Sequence, residues 1–235
     1  GRTYYCEAVM LTYARQFFHE LKQLPDVSVK LYGDGLLQHM AWEKRNEKIQ
    51  VKKSANIAFS TPVTISPAYL EINRKLHLDP IYGLDGKKHQ DVVLKLALAL
   101  DTEKILDYGC GKGSLGRKLP FPIWEYDPAI AGNDEVPRPA ELVICLNVLQ
   151  CVELDYLDAV LGDICRCATK CVFAVISTKP SAKSLPDGRN LHLIVQDKDW
   201  WRKKLHQYFE IGTMLMAGDD IHCILAPRKM GPIAK

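Results

Sequence analysis

Ile105-Leu106-Asp107-Tyr108-Gly109-Cys110-Gly111-Lys112-Gly113 runs from an apolar stretch through a single acid into three alternate glycines. The apolar part reads as a buried strand over Lys104–Asp107. The glycines let the backbone turn tightly and come close to a ligand where a Cβ would intrude. In parallel α/β sheets ligands gather at the carboxyl ends of strands, and the first strand borders the point where strand order reverses. Asp107 at that end offers an acceptor to a ligand ammonium group. Asp127 follows twenty residues later, at the end of the next expected strand, Ile123–Tyr126, and is placed to accept both hydroxyls of a ribose.

Downstream of this stretch the pattern alternates regularly. A short helix to Lys118, strands Ile123–Tyr126 and Leu142–Leu146, a helix over Leu154–Cys167 and a strand over Cys171–Ser177 follow in turn. Strands alternating with helices predict a parallel sheet covered on both faces. A helix centred on Trp201 leads to Phe209–Met216 and Ile221–Ala226, which pair as an antiparallel hairpin around Gly218-Asp219-Asp220. Upstream, Ser66-Pro67 is a cap and first turn for a helix over Ala68–His77. Lys88–Leu100 aligns Val92, Leu96 and Leu100 as a second helix, with a turn at Tyr82-Gly83-Leu84-Asp85-Gly86 between them.

Residues 5–24 read as an amphipathic helix, with Met10, Tyr13, Phe17, Leu21 and Leu24 at three- and four-residue steps. Val27, Val29 and Leu31 then alternate as a short strand, residues 43–53 are densely charged, and Ser54–Ser66 is an extended connection. These features divide the chain into an N-terminal α+β extension, 1–65, and a ligand-binding domain, 66–235. Phe17 and Phe18 offer the first helix a surface for oligomerisation.

The composition admits some function classes and excludes others. A formal charge of +3 is too mild to mark a nucleic-acid binder by itself, so such a partner is possible but not indicated. No apolar run reaches the roughly 18 residues of a membrane span, and residues 1–25 lack the hydrophobic block of a secretory signal. Gly1 stands where a native chain would begin with Met, so part of the native N-terminus is expected to precede it. The eight cysteines show no disulfide spacing, and most sit in apolar or glycine-rich stretches. That usage predicts a reducing, cytoplasmic setting. Cys165, Cys167 and Cys171 match no common metal-ligand spacing, and no metal site is assigned.

Gly111-Lys112-Gly113-Ser114-Leu115-Gly116 also satisfies the dinucleotide fingerprint G-x-G-x-x-G. Asp107, two residues before Gly109 at the start of the loop, would repel a pyrophosphate and suits a cationic ligand. The chain also lacks room after residue 180 for a second mononucleotide-binding half. With Asp127 beyond it, the run Ile105–Gly113 resembles the nucleotide-binding half of class I S-adenosylmethionine (SAM)-dependent methyltransferases over about residues 80–228. Tyr126-Asp127-Pro128-Ala129-Ile130 and Leu185–Ile194 are similar, more narrowly, to small methyltransferases of bacteriophages and bacteria. The resemblance implies a Rossmann-like three-layer sandwich, strand order 3-2-1-4-5-7-6, with the hairpin at one edge. It implies contacts from Asp107, Gly109, Gly111 and Gly113 to the methionine end of SAM and from Asp127 to the ribose.

Three departures from that family stand out. Pro120 and Pro122 shorten the helix after the glycine loop. Gly132, Pro137 and Pro139 leave room only for a reduced third strand. The acid-rich turn after the fourth strand is here Asn147-Val148-Leu149-Gln150-Cys151, where Asn147 can hydrogen-bond to the cofactor but offers no carboxylate base. The segment after the fifth strand carries Lys179, Lys183, Asp187, Arg189, Asn190 and His192. Arg189 and Asn190 are expected to face the acceptor, with His192 the candidate base; between two leucines it reads equally as a satisfied, half-buried histidine. Trp200-Trp201 reads as helix packing rather than base stacking.

The [DNS]-P-P-[YFW] motif of base amino-methyltransferases is missing, and no Pro-Cys dipeptide supports cytosine C5 chemistry. Small molecules, protein groups and RNA remain as acceptors. Two functions stay open: a methyltransferase, and a SAM-fold module that binds or assembles without catalysis.

Overall fold

The computed structural model describes residues 62–228. The helix expected over 5–24, the strand over 27–31, the proposed dimerising phenylalanines and the extension as a unit lie outside the described residues. Ser66 caps helix α1 (Pro67–Leu76): its Oγ accepts the Tyr69 N–H at 3.1 Å, and Pro67 opens the first turn. A 3-10 turn over Asp85–His89 leads into helix α2 (Gln90–Leu100), which Asp101 closes in the left-handed conformation. Helix α2 has no side-chain N-cap, a loss of about 1 kcal/mol. Burial of Val92, Val93, Leu96, Ala97 and Leu100 outweighs it, at about 1.5–3 kcal/mol for each large side chain.

Strands β1 (Ile105–Tyr108), β2 (Trp124–Tyr126), β3 (Ala140–Leu146) and β4 (Ala168–Ser177) run parallel, and β5 (Phe209–Ala217) and β6 (Asp220–Pro227) form the terminal hairpin. The sheet order is β2-β1-β3-β4-β6-β5, with β6 antiparallel to both neighbours. This is the expected Rossmann-like order without its outermost strand. No strand forms between β2 and β3 among the described residues, because Gly132, Pro137 and Pro139 keep that segment irregular.

Alternate residues of the central strands feed two cores. Val143, Cys145, Val172 and Ala174 face helix α3 (Leu157–Cys167) and helix α4 (Lys198–Leu205), where Trp201 and Leu205 are fully buried. Leu142, Ile144, Phe173 and Val175 face α2. The helix expected after the glycine loop is only a 3-10 turn, Gly116–Lys118, because Pro120 and Pro122 stop it. Helix α3 also pins the irregular segment: Arg166 donates to the Pro137 carbonyl at 3.1 Å and to Asp163 at 2.7 Å, and Asp163 accepts the buried Tyr108 hydroxyl at 2.9 Å. Tyr108 and its neighbour Asp107 are thereby fixed from behind.

Candidate functional site

A cleft of about 490 Å3 opens at the carboxyl ends of the parallel strands. Its floor is Asp107, Gly109, Cys110 and Gly111. Asp127, Asn147 and His192 line it as well, so four segments far apart in the sequence meet around one space. Gly113 stands outside the cleft, its Cα turned toward the Glu125 carboxylate.

The glycine loop owes its shape to close packing of backbone on backbone. Gly109, Gly111 and Gly113 all have positive φ, at 79°, 53° and 64°. A Cβ on Gly111 would lie 2.7 Å from the Gly83 carbonyl oxygen, and one on Gly109 2.3 Å from Val148 Cγ2. Every amide of the loop is already engaged. Gly109 and Cys110 donate to the Tyr126 carbonyl, Gly111 to Asp127 Oδ2, Lys112 to the Gly83 carbonyl and Gly113 to the Cys110 carbonyl. A phosphate would need free amides at the start of a helix. The loop supplies neither.

Asp107 is only 3% exposed, and among the described residues no hydrogen bond or ion pair reaches its carboxylate. Burial, reinforced by Glu125 beside it on β2 and by Asp127, pushes its pKa up to about 8. A carboxylate in this position is stabilised by a cation that arrives with a ligand. Asp127 is more fully committed. Its Oδ1 accepts the Ala129 N–H at 3.0 Å, its Oδ2 accepts the Gly111 N–H at 3.1 Å, and His77 Nε2 lies 3.8 Å from Oδ2. Each oxygen keeps acceptor capacity for a further donor.

Asn147 sits in the left-handed region, φ 58°, which asparagine tolerates better than most residues. Gln150, fully buried, donates from Nε2 to the Asn147 Oδ1 at 3.4 Å. Asn147 therefore presents its amide group as a donor.

The loop after β4 is organised around Asn190. Its Oδ1 accepts from Ser181 N and His192 N, and its Nδ2 donates to the Ser181 carbonyl at 2.8 Å. The side chain expected to face the acceptor is spent on the loop itself. Arg189 is not among the cleft's lining residues: it pairs with Asp187 at 2.7 Å and lies 5.5 Å from the Tyr69 ring centroid. His192 lines the cleft, with Nδ1 2.6 Å from the Lys179 carbonyl. A carbonyl can only accept, so Nδ1 carries a proton and Nε2 is the ring nitrogen left to meet an acceptor molecule.

Several residues here escape sequence reading. Tyr69 and Tyr82 also line the cleft, and burial raises both phenols. Tyr69 donates to the Cys151 carbonyl at 2.7 Å. Glu153 accepts both the Ser66 N–H and the Ser66 hydroxyl, tying α1 to the turn after β3. His77 touches the edge of Tyr82 at 4.9 Å, and burial lowers its pKa. The only signal for Gly83 was its place in a turn motif. A second, more open cavity of about 360 Å3 lies behind the loop, lined by Arg74, His77, Gly111, Ala129, Ile130 and Asn133 among others.

No family model and no curated protein matches the chain. Among solved structures it is similar to the magnesium protoporphyrin IX methyltransferase of Synechocystis with bound S-adenosylhomocysteine (SAH), at 16% identity over 69% of this chain and 95% of that one, TM-score 0.44. It is similar to an N-methyltransferase of Bradyrhizobium japonicum in complex with SAH, at 13% identity over 70% and 100%, TM-score 0.47. A third is the 1,6-didemethyltoxoflavin-N1-methyltransferase of Burkholderia thailandensis, at 11% identity over 75% and 94%, TM-score 0.49. What the cleft of this chain can bind is decided by its own groups.

Proposed function

We propose that the chain binds SAM in this cleft and transfers its methyl group to an acceptor held beside His192. The observation that carries the reading is the buried, cation-free carboxylate of Asp107 under a loop with no amide to spare for an anion. An amino acid ammonium group satisfies Asp107, and a ribose satisfies the remaining acceptor capacity of Asp127. Pro128, Ala129 and the second cavity beyond them leave room for a base. SAM supplies an electrophilic methyl group on a sulfonium, so the protein needs mainly to align the acceptor atom in line with it. Tyr69, Tyr82 and the Leu191–His192 wall confine the acceptor. His192 Nε2 takes the proton released when a hydroxyl or amine attacks.

Calorimetry with SAH tests the cofactor half. Binding an ammonium group favours ionised Asp107, which without ligand holds its proton up to about pH 8. Affinity for SAH is therefore expected to rise from pH 6 to 8, approaching about tenfold per pH unit, and to flatten above. Absence of binding heat at any pH removes the reading. His192→Gln tests the chemical half. The expected result is a fall of about 10²–10⁴-fold in kcat with unchanged SAH affinity. An unaltered kcat takes His192 out of the mechanism. The turn at Asn147, which brings no carboxylate to the acceptor, favours a second reading: a SAM-binding module without turnover. Binding of SAH with no methyl transfer to any acceptor class would select it.

A further inference from the structure

Resting on that reading, we infer that the acceptor is a small molecule bearing an anionic oxygen group, and that Lys183 is the residue that selects it. The cleft is polarised. At the glycine-loop end stand two carboxylates, Asp107 and Asp127, with Glu125 behind them. At the opposite end, between the loop after β4 and the α1–α2 region, the uncommitted groups other than His192 Nε2 are donors. Lys183 lines the cleft at its mouth, its Nζ 5.9 Å from the Tyr82 ring centroid, and no carboxylate among the described residues pairs with it.

Its neighbours differ in this respect. Lys179 pairs with Asp219 at 2.7 Å, Arg189 with Asp187, and Lys88 with Asp85. Of the two carboxylates that line that end, Asp85 is paired with Lys88 and Glu153 accepts the two bonds from Ser66. The Tyr82 hydroxyl makes no hydrogen bond among the described residues, and the Asn147 amide group is left as a donor once Gln150 has engaged its oxygen. A cationic acceptor would meet Lys183, with Asp85 already paired to Lys88 and Glu153 already bonded to Ser66. An anionic one would find a charge, a phenol and an amide, and would face the sulfonium at the acid end in the favourable sense.

The lysine is held against the Tyr82 face, where a cation is attracted by the ring. It is therefore presented toward the cleft as well as to water. The cleft of about 490 Å3 lies within the range of small-ligand sites, so the room left beside a cofactor suits a compact acceptor.

The test uses the full chain with SAM and a panel of small phenols, amines and acids. Each is offered in an anionic, a neutral and a cationic version; the phenols are 4-hydroxybenzoate, its phosphate counterpart 4-hydroxyphenyl phosphate, 4-hydroxybenzamide and tyramine. Transfer is expected on anionic members. For these, Lys183→Met should raise KM about tenfold or more with the loss confined largely to KM. Lys183→Arg should restore most of it, and SAH affinity should be the same in all three proteins. The two anionic phenols distinguish a carboxylate from a phosphate. Preference for neutral or cationic members, an unmoved KM in Lys183→Met, or no turnover of any member by protein that binds SAH overturns the inference while leaving the cofactor site intact. Failure to bind SAH overturns the reading on which it rests.

Discussion

Asp107→Asn is expected to make the ligand-free protein more stable at pH 8 and, in the same substitution, to abolish its response to SAH. Both effects come from one buried charge. Asparagine has the shape of the protonated acid and never ionises. With a folded-state pKa of about 8 against about 3.9 in an unfolded chain, the folded protein holds a proton that the unfolded chain has released at any pH between those values. Stability is therefore fully present below about pH 4 and is lost as pH rises through the interval to about 8. The uncompensated carboxylate at pH 8 costs on the order of a few kcal/mol, which for a chain of this size corresponds to several degrees in Tm. At pH 5, where Asp107 is protonated in the folded state, the two proteins should melt much closer together. Removing the carboxylate also removes the partner of the ligand ammonium group. Loss of one member of a buried charge pair costs about 3–5 kcal/mol, at least a hundredfold in Kd. Differential scanning fluorimetry at pH 5 and pH 8, with and without SAH, reads both effects. A variant that melts lower than wild type at pH 8 and still shifts with SAH would refute the assignment.

How far the sequence announces this site depends on whether a feature is local. The strand into Asp107, the acid at 127, the hairpin and the Ser66-Pro67 cap are local patterns, and the structure reproduces each within a few residues. The prolines at 120, 122, 137 and 139 foretold the shortened helix and the missing outer strand, because proline acts on its own backbone. What stayed hidden depends on pairing at a distance. Gly83 reads as an ordinary turn glycine until Gly111, twenty-eight residues on, is seen packed on it. Glu125 reads as a polar strand residue, and only the register with β1 sets it beside Asp107. Gln150 reads as a lost acid, and its bond to Asn147 appears only in the fold. Asn190 and Arg189 carry the chemistry of ligand binding in their composition, yet loop closure uses the first and an ion pair the second. Residue type marks which groups are able to bind, and only three-dimensional neighbours show which are still free to do so.

The second large effect is expected at Gly111. Gly111→Ala places a Cβ where two segments of backbone already touch, 2.7 Å from the Gly83 oxygen and 3.0 Å from its Cα, at a φ of +53°. The left-handed conformation costs alanine about 1 kcal/mol. The clash adds to this, because backbone cannot swing aside as a side chain does. Separating the segments breaks the Lys112 N–H bond to the Gly83 carbonyl and shifts the Gly111 N–H from Asp127. A total loss of about 2–4 kcal/mol in unfolding free energy is expected, with SAH binding lost through the displaced Asp127. Two controls separate strain from contact. Gly188→Ala also requires a positive φ, +87°, but meets nothing within 4 Å, and should cost only the strain. Gly113→Ala meets the Glu125 carboxylate at 2.6 Å, the far end of a flexible side chain that can move, and should fall between. Urea unfolding of the three variants is expected to rank them Gly111, Gly113, Gly188 from worst to mildest, with SAH binding preserved in the last. If Gly111→Ala were as mild as Gly188→Ala, the close approach of the two backbones, and with it the placement of Asp127 against the glycine loop, would be wrong.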